Sequence, residues 1–142
     1  MRAMLRIVIF AMAIAVCVPA AASEPPSYEA QQIEYSHFLS KLQKAVSDGD
    51  REAILSSVRL PLRVNSGNRT TAYLDEDEID ANFEQIFDEA TRRAILYQSV
   101  DDIFSRDIGA MVGHGEVWFD FTCLNEDCTD VGPVRIYAIN KL

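Results

Sequence analysis

Apolar residues recur at helical spacing over residues 29–47, where Ile33, Phe38, Leu39, Leu42, Ala45 and Val46 stand among polar residues, and this pattern predicts an amphipathic helix. Asp48, Gly49 and Asp50 end it and offer an N-cap for a short second helix through Ala53, Ile54 and Leu55. Over residues 58–64 the period falls to two, because Val58, Leu60, Leu62 and Val64 alternate with Arg59, Pro61 and Arg63. That is a strand. Pro61 has no N–H to give to a ladder, so the strand is expected at a sheet edge or with a bulge.

Ser66, Gly67 and Asn68 mark a turn, after which residues 70–74 lead into the run Asp75, Glu76, Asp77, Glu78. Carboxylates ahead of Ile79, Phe83, Ile86 and Phe87 predict the first turn of a helix, where they cap free amides and oppose the dipole. An EF-hand calcium loop would need a glycine in mid-loop and a later glutamate at set spacing, which this run lacks. Helical spacing continues through Ala90, Ala94, Ile95 and Tyr97, with a break or bend near Glu89.

Beyond Ser99 the texture is strand-like. Residues 100–104 read as a strand, Ser105, Arg106 and Asp107 as a turn, residues 108–112 as another strand, and Gly113, His114 and Gly115 as a tight turn. Residues 116–123 form the strongest strand, with Val117, Phe119 and Phe121 on one face and Glu116, Trp118 and Asp120 on the other. Its expected partner is residues 134–140. Helices first and strands last, without βαβ alternation, predict an α+β fold with N-terminal helices on a mostly antiparallel sheet.

The first residues change the molecule to be explained. Arg2 and Arg6 precede an apolar run over residues 7–18, followed by Pro19, Ala20, Ala21, Ala22 and Ser23. This is the pattern of a signal peptide over residues 1–22, cut between Ala22 and Ser23, and its apolar run is too short for a membrane-spanning helix. A leader over residues 23–28 containing Pro25 and Pro26 then precedes a single domain over residues 29–142. The expected location is periplasmic or secreted, with no integral membrane segment in the mature chain. Removing 22 of 142 residues leaves 120, enough for one core.

The whole chain has 22 acidic and 13 basic residues, a net charge of −9; losing Arg2 and Arg6 makes it −11. Such acidity argues against nucleic acid or anionic membranes as partners, and favours solubility or a basic partner. Of three cysteines, Cys17 leaves with the signal, and Val16 before it is not the small residue of a lipoprotein signal. Cys123 and Cys128 then pair as a disulfide in an exported chain, stapling a small loop by about 2 kcal/mol. A metal site would need further ligands, and His37 and His114 lie in unrelated segments. A redox pair would have two intervening residues at a helix start rather than four in a loop.

No nucleophile elbow, phosphate loop or dinucleotide fingerprint is present, so no catalytic residue, metal or cofactor is assigned. The ligand-binding candidates are His114, Glu116, Trp118, Asp120, Arg135 and Tyr137. His114 stands between two glycines, where an imidazole can be an exposed turn residue or a base at a cavity mouth. Two carboxylates flanking the indole would suit acid–base chemistry if apolar walls raised one pKa, and Arg135 and Tyr137 could join that face through cross-strand pairing. Asn68, Arg69 and Thr70 match the N-glycosylation acceptor pattern.

The segment order, together with Ala45-Val46-Ser47-Asp48-Gly49-Asp50, Leu60-Pro61-Leu62-Arg63-Val64 and Gly113-His114-Gly115-Glu116-Val117-Trp118-Phe119, resembles small exported bacterial proteins of the NTF2-like, cystatin-like α+β superfamily. The resemblance implies a curved sheet wrapped by helices into a cone with an internal cavity. It includes isomerases, dehydratases and cyclases beside proteins that only bind or dimerise. Steroid-isomerase-like members use an acidic base with an oxyanion-stabilising tyrosine and acid; Asp120, Tyr137 and Glu116 have that chemistry but do not match the motif position by position. The leading expectation is an exported, non-enzymatic domain that binds a small molecule or protein through its cavity or sheet face, a homodimer through that face included. The alternatives are an isomerase- or dehydratase-like enzyme, with Asp120 or His114 as base acting on a small carbonyl compound, and an acidic inhibitor or immunity-type protein for a basic exported enzyme.

Overall fold

Tyr35, Leu39, Leu42 and Val46 are spaced four, three and four residues apart, so a helix brings them to one stripe, and all four are buried. They lie on α1 (Tyr28–Asp48) in a computed structural model that describes residues 25–142. The signal segment, Cys17 and the Ala22–Ser23 cleavage point fall outside the described residues. Ile33, which the sequence pattern places on the stripe, is 55% exposed, and Tyr35 at 2% takes its place. Six residues from Leu39 put Ile33 well round the helix, whereas four keep Tyr35 in line. Ser27 caps α1 by accepting from the Ala30 N–H, and Asp50 caps α2 (Arg51–Ser56) by accepting from the Ala53 N–H.

β1 (Val58–Ser66) and β2 (Arg69–Tyr73) form a hairpin, and β2 comes from residues that periodicity left unassigned. The acidic run does start a helix: Asp75 caps α3 (Glu76–Ala81), and α4 (Phe83–Ile86) and α5 (Glu89–Tyr97) follow, with Asp88 as the cap of α5. β3 (Phe104–Arg106), β4 (Gly109–Val112), β5 (Val117–Cys123) and β6 (Val131–Lys141) complete a six-stranded sheet of order β2-β1-β6-β5-β4-β3. β1 and β6 are parallel and every other pair is antiparallel. The fold is α+β, with helices packed on a mostly antiparallel sheet.

Of the two alternatives for the proline-containing strand, the structure bears out the bulge: β1 is interior, with β2 covering its outer side, and its register with β6 shifts between Val58 and Arg63. Pro61 is tolerated there because the β1–β6 register breaks between Val58 and Arg63 and the β1–β2 ladder begins at Leu62, so no ladder requires its N–H. The strand expected over residues 100–104 lies later: pairing of Arg106 with Gly109 leaves Asp107 and Ile108 as a two-residue turn.

Register separates the two faces of the sheet. Val64, Ile139, Val117 and Val112 are successive partners across β1, β6, β5 and β4, and all four are buried. Leu39, Leu42, Ile86, Phe87 and Ile95 of the helical layer join them in one core, each such side chain contributing about 1.5–3 kcal/mol by burial. The row one residue over runs Ala72, Arg63, Ala138, Trp118, Met111, Phe104, and alternation turns it to the opposite face. No helix among the described residues is long and apolar enough to cross a membrane.

Candidate functional site

β5 distributes its chemistry over three places. At its start, the turn between β4 and β5 holds Gly113 and Gly115 at φ 62° and 107°. The His114 N–H donates to Glu116 Oε2 at 2.6 Å, and a Cβ on Gly113 would stand 2.4 Å from the same oxygen. Gly113 is thus required by the carboxylate as well as by the turn. The Gly113 N–H donates to Gln98 Oε1 at 2.8 Å, tying the turn to the end of α5. The His114 side chain is 94% exposed, with Nδ1 4.0 Å from Glu116 Oε1. His114 and Glu116 therefore share a shallow cleft with Arg93, Tyr97 and Gln98, where the glutamate is engaged in closing the turn.

In the middle of β5, Trp118 lies on the face opposite the core, between Met111 and Ala138. The indole and Met111 are partly buried, and Phe104 beyond them is 53% exposed. Arg63 continues the row on the other side of Ala138. Tyr137 sits at a break in the β5–β6 register, its hydroxyl donating to Ile108 O at 2.7 Å and its ring 5.1 Å from the Arg59 guanidinium carbon. Arginine over tyrosine, near a methionine and an indole, makes an amphipathic surface typical of contact sites.

Towards the end of β5, the β4 ladder stops at Ala110–Phe119, freeing the next backbone positions. Asp120 Oδ1 accepts from the Phe121 N–H at 2.7 Å and from the Tyr35 hydroxyl of α1, also at 2.7 Å. Gly109 lies alongside at φ 109°, where a Cβ would come within 2.6 Å of Phe119 O and 2.9 Å of Asp120 Cβ. Burial and then the hydrogen bond to Asp120 push the Tyr35 phenol well above its ordinary value. Tyr137 is pushed up as well, by burial and then by the Asp120 charge, against the opposing pull of Arg63 and Arg59. Asp120 thus presents negative charge to two phenols. It lines a cleft of about 320 Å³ with Tyr35, Phe121, Val131 and the disulfide.

The six sequence candidates are therefore divided. His114 and Glu116 meet at one end of β5, Asp120 and Tyr137 interact near the other, and Trp118 stands between on the open face. Arg135 is the register partner of Asp120, yet it donates to Val134 O and lines a separate cleft of about 250 Å³ with Phe38, Lys41 and Ser56. Cys123 and Cys128 are bonded, with Cα atoms 4.7 Å apart. Their loop closes where Leu124 N–H donates to Asp130 O. Tyr35, Arg59, Arg63 and Met111 are the neighbours that sequence reasoning left out. Tyr35 was legible in the four-three-four spacing of α1; the others depend on pairing between distant strands. No protein-family model matches the chain, and no curated protein matches it.

Proposed function

We propose that this is an exported binding domain of the NTF2-like, cystatin-like kind, presenting the open face of its sheet to a protein segment that carries acidic and apolar groups. The observation that carries the reading is the cross-strand row Arg63, Ala138, Trp118, Met111, Phe104 on the face opposite the core. Charge complementarity chooses the partner: on a chain of net charge −9, this surface brings Arg63 beside the row and Arg59 over Tyr137. The indole, thioether and phenyl groups offer the apolar anchors on which such contacts depend.

Trp118 is the sole tryptophan, so its fluorescence reports on this face directly. A synthetic peptide alternating glutamate with leucine and phenylalanine is expected to shift the emission saturably. Raised salt should weaken the response, and Arg63→Glu should reduce it about tenfold. A lysine-for-glutamate peptide should have little effect. An equal response to both peptides, or none to the acidic one, would overturn the proposal. So would concentration-dependent dimerisation abolished by Trp118→Ala, which would assign the face to a second copy instead.

A further inference from the structure

We propose that the cleft beside Asp120 is a binding site for a small organic ammonium ion, with the carboxylate as counter-charge and Phe121 as part of an apolar wall. The site is separate from the sheet-face reading and does not rest on it. Both hydrogen bonds to the carboxylate, from the Tyr35 hydroxyl and the Phe121 N–H, converge on Oδ1. Oδ2 has no hydrogen-bond partner among the described residues, and no lysine or arginine nitrogen among them comes within 4.0 Å of Asp120. A partly buried carboxylate oriented in this way offers one oxygen to a ligand without having to reorganise.

The surroundings specify the ligand further. Pro25, Pro26, Phe121, Val131 and the disulfide make much of the lining apolar, within a volume of about 320 Å³ that suits one ring and a short chain. Arg106 and Asp107 also line the cleft, but they face each other at 3.5 Å and offset one another, so neither forms an ion pair with Asp120. Burial is the main cause of the upward displacement of both neighbouring phenols, and Asp120 adds to it in each case, so groups already in place feel its negative charge. An anion would be repelled by it. A divalent metal would want several ligands, and no three His, Cys, Asp or Glu side chains converge among the described residues. An ammonium group needs only the free carboxylate oxygen, while an attached ring gains contact with Phe121 and the prolines.

The test uses phenethylammonium, with phenylacetate and phenethyl alcohol as the anionic and neutral counterparts, titrated into the purified protein by calorimetry and by methyl and aromatic NMR. Saturable binding of the ammonium is expected, with shifts centred on Phe121 and Val131 and little response to phenylacetate. Asp120→Asn keeps an acceptor for both internal donors and should weaken binding about tenfold or more. The proposal is overturned if a folded Asp120→Asn protein binds as tightly as the wild type, or if phenylacetate matches the ammonium. Absence of saturable ammonium binding overturns it as well. Should the variant fail to fold, the wild-type shift map decides: perturbations centred away from Phe121 and Val131 would refute the site.

Discussion

Asp88 and Asp120 are both partly buried carboxylates bound to a backbone N–H, but among the described residues one faces a cation and the other does not. Asp88 caps α5 through the Thr91 N–H and lies 3.0 Å from Lys141 Nζ. Lys141 itself is consumed by the fold, since Nζ also donates to Ile86 O at 2.5 Å and to Thr91 Oγ1 at 2.9 Å. Asp120 has a phenol where Asp88 has an ammonium. A carboxylate whose counter-ion comes from the chain is a structural tie between the end of β6 and the start of α5. One held only by neutral donors keeps its charge available, and that separates a structural acid from one that can receive a ligand.

Breaking the closed pair should have the largest effect. Lys141→Met leaves the Ile86 carbonyl and the Thr91 hydroxyl without their donor, and chemical denaturation should record a loss of about 2 kcal/mol after allowance for the exposure of Asp88. A wild-type midpoint in that variant would remove the distinction drawn between the two acids. Tyr35→Phe deletes one hydrogen bond in the open arrangement while keeping the ring contacts with Phe119 and Phe121, so a smaller loss of about 1 kcal/mol is expected. Combining it with Asp120→Asn, which keeps an acceptor but removes the charge, should be less than additive, since both changes act on one contact. Strict additivity in the double-mutant cycle would show that the carboxylate charge adds nothing to the hydrogen bond.

The smallest effects are in pH dependence, and they have opposite signs. Burial raises Asp88, but the Thr91 and Lys141 hydrogen bonds outweigh it and hold the carboxyl below its ordinary value. Its contribution is complete above the ordinary aspartate pKa of about 3.9 and fades as pH falls through the lower folded value. Tyr35 is raised, so its contribution is complete below the ordinary phenol value of about 10 and fades as pH rises beyond it. Stability measured across both limbs should therefore lose part of its acid slope in Lys141→Met and part of its alkaline slope in Tyr35→Phe. The reverse assignment would contradict the electrostatic account.

Much of the fold was legible because its signals are local. Asp50, Asp75 and Asp88 each cap a helix through an N–H three residues on, an interaction contained within one turn. The alternation of Val117, Phe119 and Phe121 likewise announces β5. β2 was missed because Arg69, Thr70, Thr71 and Ala72 are exposed and have no apolar alternation; pairing with β1, not burial, makes them a strand. The candidate site was legible only in pieces. Asp120 and Tyr137 could be named from their strands, whereas Tyr35 is 85 positions from Asp120 in the chain.

The amino-acid sequence by itself determined most of the order of helices and strands, the caps at Asp50 and Asp75 and the α+β class, because periodicity and capping act over one or two turns. Tertiary structure alone decided that Glu116 closes a turn, that Arg135 and Asp120 line separate clefts, and that Tyr35 rather than a cation meets Asp120. Those outcomes follow from strand register and from where the β4 ladder stops, which no stretch of neighbouring residues encodes.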